Sequence, residues 1–351
     1  MNFILKWFIF FIEYLISLIL ITYIAQLIHE CGKVLFAKIA GYQFVSMNFM
    51  WFSIIRKNNK TKISIHRSFF DTSSNVVPPK FTPKMKFRPY FYGGIIVDFI
   101  FLLISIGLIF VIKHPSTIFR VDNLLFIFFF FYNFLNIIPI NWFGSPTDTK
   151  NISYIKSGPD ALFGYYVSLV AVYLAVNNVP IVNYSTELFN QHENANHQNP
   201  FVMYQDWLKV TYFEHMIFQK NANYDLLSYL DALVPFLNFA PKMIKAQYLN
   251  EAIFIYIVAN YKTNWAIDRW NSKLITHYST KQNYTSFIKT MILVEIINKK
   301  EKLVEIDLVE GTKILEQAND QINDLYLIQH IAQDLPQWRI KLNQNHVTLN
   351  K

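Results

Sequence analysis

Cysteine is nearly absent from this 351-residue chain: the single one, Cys31, excludes a disulfide within the chain and leaves the redox compartment open. Charge is scarce too, at 16% of residues against 53% hydrophobic, with 33 Phe and 21 Tyr. The apolar residues are gathered into runs, which excludes a uniformly soluble globule and matches a membrane protein carrying a soluble part. No RNA- or DNA-binding module pattern is present, so the formal charge of +8 is not read as a nucleic-acid footprint. The first apolar run lacks the charged start, short core and small-residue cleavage site of a signal peptide, and a retained spanning helix is expected there. Acidic residues are missing where basic ones crowd. Between Tyr42 and Tyr90 nine Lys and Arg stand against Asp71 alone, and the positive-inside rule makes that loop cytoplasmic.

Three apolar runs, 3–28, 91–112 and 124–140, are near the roughly 20 residues that a spanning helix needs. The first runs on as a helix through residues 29–33 to Gly41, a helix stop. From Tyr42 the period changes, and a loop over 42–70 reads as a β-hairpin, strand then turn then strand, with Asn58 and Asn59 at the turn. Pro78, Pro79, Pro83 and Pro89 keep the chain extended up to the second run. Beyond Asn151 the apolar spacing is helical with polar faces, separated by Pro, Asn and Gly. The expectation is an α-helical membrane protein with its N-terminus outside: a membrane domain over 1–150 with three transmembrane helices and the hairpin loop, then a soluble all-α cytoplasmic domain over 151–351. Residues 161–176 form an alternative fourth span, and in the absence of a clean repeat period a helical-pair solenoid is only one option for the last part.

Within the first run the pair His29-Glu30 needs a reason, because ionisable groups in an apolar span are expensive. In a metalloprotease helix H-E-x-x-H sets two imidazoles on one face with a glutamate working on a metal-bound water. Here the fifth position is Lys33. A protonated lysine has no lone pair and repels a cation, so pairing of Lys33 with Glu30 or Asp148 into a metal-free ion-pair site is the favoured reading. Cys31 lies about 200° round the helix from His29 and faces elsewhere. Gly93-Gly94 opens the second run, with Asp98 inside it, and Asn136-Ile137-Ile138-Pro139 ends the third, with Asp148 following.

Taken together, these stretches resemble the site-2 protease type of intramembrane zinc metallopeptidase, in particular the bacterial branch with a hairpin loop after a Gly-Tyr pair (Gly41-Tyr42) and a helical C-terminal domain. The resemblance covers the three spans well and the rest loosely. It implies that His29 and Asp148 are zinc ligands, that Glu30 is the general base, and that Gly93, Gly94, Asn136 and Pro139 shape a substrate groove. The implied substrates are small membrane-associated peptides such as processed pheromone or bacteriocin leaders. Lys33 for the second histidine, Thr149 for a glycine after the aspartate and Asp98 for an asparagine depart from the family pattern.

Two functions therefore stand open: a zinc metalloendopeptidase, active or formerly so, and a non-catalytic pseudoprotease that binds or regulates a peptide or membrane partner in the cell membrane and recruits a cytoplasmic protein through its helices. A transport or immunity component without protease ancestry is the third option. At the level of single residues, His66 stands as a substitute ligand or as a solvated strand residue. Gly93 and Gly94 serve a groove or close helix packing, Asp98 stands in the family's asparagine position or is a bundle hydrogen-bonding residue with no chemical role, and the hairpin either offers an edge strand to a substrate or covers the site.

Overall fold

The structure, a computed structural model, describes residues 3–49, 52–57, 60–65, 72–112, 117–142, 145–190, 195–219, 224–240, 242–279, 284–317 and 322–348. The expected turn residues Asn58 and Asn59, and His66, lie outside them. The chain is mostly helical, and it divides into two compact units, 1–176 and 177–351, so that the expected boundary at 150 falls inside the first unit.

Helix α1 runs without a break from Phe3 to Ile39. Its end is the expected Gly41, whose φ of +93° suits glycine. The amides of Gly41 and Tyr42 return to the carbonyls of Lys38 and Ala37, both at 3.0 Å, which closes the last turn in a Schellman arrangement. Helix α2 spans Arg88–Val111 with Pro89 in its first turn, where a missing amide hydrogen costs nothing. Helix α3 covers Thr117–Phe134 and tightens into a 3-10 turn, Leu135–Ile137, ahead of Pro139. A short helix, α4 (Asp148–Ile155), and a longer one, α5 (Pro159–Val176), complete the helices of the unit.

Among the described residues four stretches are long and apolar enough to cross a membrane: Phe11–Ile39, Arg88–Val111, Phe119–Ile137 and Pro159–Val176. The first lies within α1, which contains the expected 3–28. Its polar groups at Gln26, His29, Glu30 and Lys33 are met by other elements, as set out below.

The expected hairpin is a four-stranded antiparallel sheet in the order β3-β2-β1-β4, from β1 (Gln43–Phe49), β2 (Phe52–Lys57), β3 (Lys60–Ile65) and β4 (Ser73–Val77). The stretch read as a single first strand is β1 and β2, folded so that Phe49 faces Phe52. β4 has weak strand propensity in Ser73, Ser74 and Asn75. Side chains hold it: Asn75 Nδ2 donates to Ser46 Oγ at 3.1 Å, and Asn48 Nδ2 to Ser73 Oγ at 3.3 Å. β4 packs against α1 and α5. Two-residue strands β5 (Asn141–Trp142) and β6 (Ser145–Pro146) pair between α3 and α4.

The second unit is all helical among its described residues, from α6 (Pro200–Gln219), α7 (Tyr224–Leu233), α8 (Lys242–Val258), α9 (Thr263–Trp270), α10 (Lys273–Ser279), α11 (Tyr284–Ile297), α12 (Glu301–Gln317), α13 (Ile322–Gln333) to α14 (Leu335–Thr348). The helices α6, α8, α11 and α13 begin at 200, 242, 284 and 322, each followed by shorter or outer partners. This is a helix-pair succession of roughly forty residues per step, which the sequence hides because the residues at equivalent positions differ. Its core is continuous, with Ile253, Phe254, Ile288, Leu293, Leu327 and Ile328 at its centre.

Candidate functional site

Glycine brings α1 and α2 together. A Cβ at Gly32 would meet the Gly93 carbonyl oxygen at 2.7 Å, and one at Gly93 would meet the Gly32 carbonyl oxygen at 2.5 Å. The helices cross backbone to backbone there, as small residues allow. Gly94 has a different duty, since a Cβ on it would lie 2.5 Å from Cε1 of His29. The glycine pair therefore serves close packing and makes room for an imidazole, and neither residue lines the cavity described below.

His29 sits between two carboxylates. Its Nδ1 lies 2.6 Å from Asp98 Oδ2 and its Nε2 lies 3.1 Å from Asp148 Oδ2. Asp98 is wholly buried, and its Oδ1 has no hydrogen-bond partner among the described residues. An imidazole offers two donors only as its cation, and in that form no lone pair remains for a metal. Asp98 is thus the residue that sets the ring's orientation from α2.

Asp148 arrives by a different route. Thr147 caps α4, its Oγ1 accepting from the Lys150 amide at 3.3 Å and donating to the Ile138 carbonyl at 2.7 Å. The cap fixes Asp148 in the first helical turn, where the helix dipole favours a carboxylate. Thr149 donates to the Asn136 carbonyl and ties α4 to the end of α3. Burial pushes the Asp148 carboxyl up, and the Lys33 ammonium and the His29 ring outweigh it, holding the group below the ordinary carboxylate range.

Lys33 closes the constellation. Its Nζ lies 3.1 Å from Glu30 Oε1 and 3.3 Å from Asp148 Oδ1, and 5.2 Å from the centroid of the Tyr90 ring. The second Glu30 oxygen accepts from Ser74 Oγ on β4, while Tyr90 donates to the Ser74 carbonyl at 2.6 Å. His29, Glu30, Lys33 and Asp148, 119 residues apart at the extremes, therefore meet in one buried network.

Beside this network lies a cavity of about 390 Å³, lined by Gln26, His29, Glu30, Lys33, Thr72, Tyr132, Asn133, Leu135, Asn136, Pro146, Thr147 and Asp148. Thr72 Oγ1 donates to Gln26 Oε1 at 2.5 Å across its rim. Asn136 belongs to the lining and donates to the Asn133 carbonyl at 2.9 Å, whereas Pro139 is exposed and stands outside it. Cys31 is exposed on α1.

No family model, curated protein or solved structure matches this chain.

Zinc does not fit the donors present. A catalytic zinc takes three protein ligands and leaves one position open. Here the position of a second imidazole holds an ammonium without lone pairs, and both nitrogens of His29 face carboxylates. Among the described residues no group of three or more His, Cys, Asp and Glu side chains is arranged to hold a metal ion. Sequence reasoning missed Ser74, Tyr90, Thr72 and Gln26. Gln26, a polar interruption of the first apolar run, was the one visible signal among them.

Proposed function

We propose that this chain is a non-catalytic, membrane-embedded counterpart of the site-2 protease type of metallopeptidase, which holds a peptide or a membrane-protein segment instead of cleaving it. The observation that carries the reading is Lys33, whose ammonium bridges Glu30 and Asp148 where a metal would have to balance them. Glu30 is then an ion-pair partner and has no metal-bound water to deprotonate.

The membrane setting is supported by span arithmetic. The hydrocarbon core takes about 20 helical residues. Every such stretch inside Arg88–Val111 contains residues 92–107. Gly94 and Asp98 are inside the core in each register, and His29 lies 2.6 Å from Asp98. Ionisable groups at that depth persist where they are paired and serve a function. A cavity of about 390 Å³ with amide and hydroxyl lining is in the size range of a small-ligand site, roughly 300–1,000 Å³, and offers donors to peptide carbonyls. We take α1, α2 and α3 as the spans, with the basic loop and the helical second unit cytoplasmic.

The decisive measurement is zinc content by mass spectrometry of the purified full chain in detergent. Wild type is expected to carry far less than one zinc per chain, and Glu30→Gln to leave peptide capture in place. Lys33→His is expected to gain zinc toward one per chain, because it sets a second imidazole beside Asp148 and the Nε2 side of His29. A wild-type protein with one zinc per chain that cleaves peptides, and loses that activity in Glu30→Gln, would overturn the proposal.

A further inference from the structure

The core of the second unit gathers three acids around one base. Lys289 of α11 and Glu214 of α6 are each 1% exposed, and Glu251 of α8 and Asp324 of α13 are each 16% exposed. The ammonium has three protons, and a different carboxyl group takes each: Glu214 Oε1 at 2.9 Å, Glu251 Oε2 at 2.6 Å and Asp324 Oδ1 at 2.9 Å. The Phe254 ring lies against the same ammonium, 5.0 Å away at its centroid. Three ionised carboxylates against one ammonium would leave two negative charges uncompensated in a buried site, which is costly.

The contact between two of the acids relieves that excess. Glu214 and Glu251 lie within hydrogen-bond reach of one another, and ionised carboxylates offer only acceptors, so the bond between them needs a proton. Burial pushes both carboxyls up against the pull of Lys289, Glu251 well above the ordinary range. The ammonium keeps its charge, because burial draws it down and Asp324, Glu214 and Glu251 outweigh that. Among the described residues no fourth acid pairs with Lys289. α12 meets α11 beside it through Gly311, on which a Cβ would lie 2.6 Å from Ile288 Cγ2. α14 packs on α11 and gives Trp338 and Leu342 to the core. The acid pair of Glu295 and Asp307 stands further along α11, six residues past Lys289.

We propose that this ionic knot is a proton-operated clasp. Closed, it carries protons on Glu214 and Glu251 and binds α6, α8, α11 and α13 to a single ammonium. Parting of these helices admits water, in which a glutamate ionises above its ordinary value of 4.5, so opening releases the protons to solvent. A carboxyl whose folded value is raised stabilises the closed form fully below about 4.5, and that stability is lost as pH rises toward the folded value. Between these limits each proton released makes opening about tenfold easier per pH unit. The second unit is thus tighter in acid and looser toward alkali, whatever the first unit holds.

Amide hydrogen exchange of the full chain in detergent tests the clasp, in a Glu295→Gln background that silences the other raised carboxyl. Protection is taken relative to the unfolded-chain rate at each pH and is read on peptides from α6, α8, α11 and α13 at pH 5.5 and pH 7.5. It is expected to fall about a hundredfold for one proton released, and further for two. Adding Glu214→Gln and Glu251→Gln, which mimic the protonated forms, is expected to abolish the fall. Protection that is the same at both pH values in the parent overturns the clasp. So does a fall that persists undiminished in the doubly substituted protein, because the protons then come from elsewhere. Failure of that protein to fold at pH 5.5, where both glutamates should already be neutral, overturns it as well.

Discussion

A zinc ion and a lysine ammonium both neutralise carboxylates, but the ammonium is tethered, monovalent and only donates. With Glu30 and Asp148 around it, and His29 held between Asp148 and Asp98, Lys33 satisfies acceptor oxygens and offers nothing that could activate water. The same residue-scale economy governs the helix crossing, where Gly32 and Gly93 meet backbone to backbone and a side chain has nowhere to go. Gly93→Ala must push α1 from α2, and overpacking of this kind typically costs about 1–3 kcal/mol. Gly107→Ala, on the same helix with nothing within 4 Å of the added carbon, is expected to leave stability unchanged. Thermal unfolding of the two variants in detergent checks the contrast, and an equal loss in both would refute the close crossing.

Among elements, α1 is the one on which the site is strung. Its polar face at 26, 29, 30 and 33 binds α2, α4 and β4 in turn, so an unbroken helix carries a constellation that would be untenable in lipid without those partners. In the second unit, α11 and α12 are joined by two acids. Burial, then the hydrogen bond to Asp307, push the Glu295 carboxyl from 4.5 up to about 7. A folded-state value above the unfolded one means stability that is fully present below about 4.5 and is lost as pH rises through 7. Glu295→Gln, which mimics the protonated form, should match wild type near pH 4.5 and exceed it in melting temperature at pH 8. A pH-independent difference between the two proteins would contradict the pairing.

At the scale of the molecule, the second unit is held by an ionic knot in its core as well as by apolar packing. Lys289 of α11 is 1% exposed, and its Nζ lies 2.9 Å from Glu214 of α6, 2.6 Å from Glu251 of α8 and 2.9 Å from Asp324 of α13. Burial pushes Glu214 and Glu251 above the ordinary carboxyl range even against that ammonium. One cation thus ties together the first helices of four successive pairs. Lys289→Met strands three carboxylates, and breaking a buried pair in this way costs roughly 3–5 kcal/mol. Denaturant unfolding followed by fluorescence of Trp207, Trp265, Trp270 and Trp338 should show the loss. A smaller change than for an exposed lysine such as Lys299 would mean that the knot contributes nothing.

Much of this protein was legible in its residues because the signals are local. Apolar runs of spanning length, Gly41 as a stop, the change of period at Tyr42 and the helical spacing after 151 depend only on near neighbours along the chain. The meeting of Lys33 with Glu30 was legible too, since three residues on a helix share a face. Ser74, Tyr90 and the orienting role of Asp98 were not, because a serine in a weak strand or an aspartate in an apolar helix has no meaning until distant segments are packed. Nor was the Lys289 knot, whose four members are 110 residues apart at the extremes. The sequence by itself determined which segments are helical and which polar groups needed partners. Only the tertiary structure decided who those partners are, because an ammonium can take a metal's place only where the carboxylates it must balance converge in space.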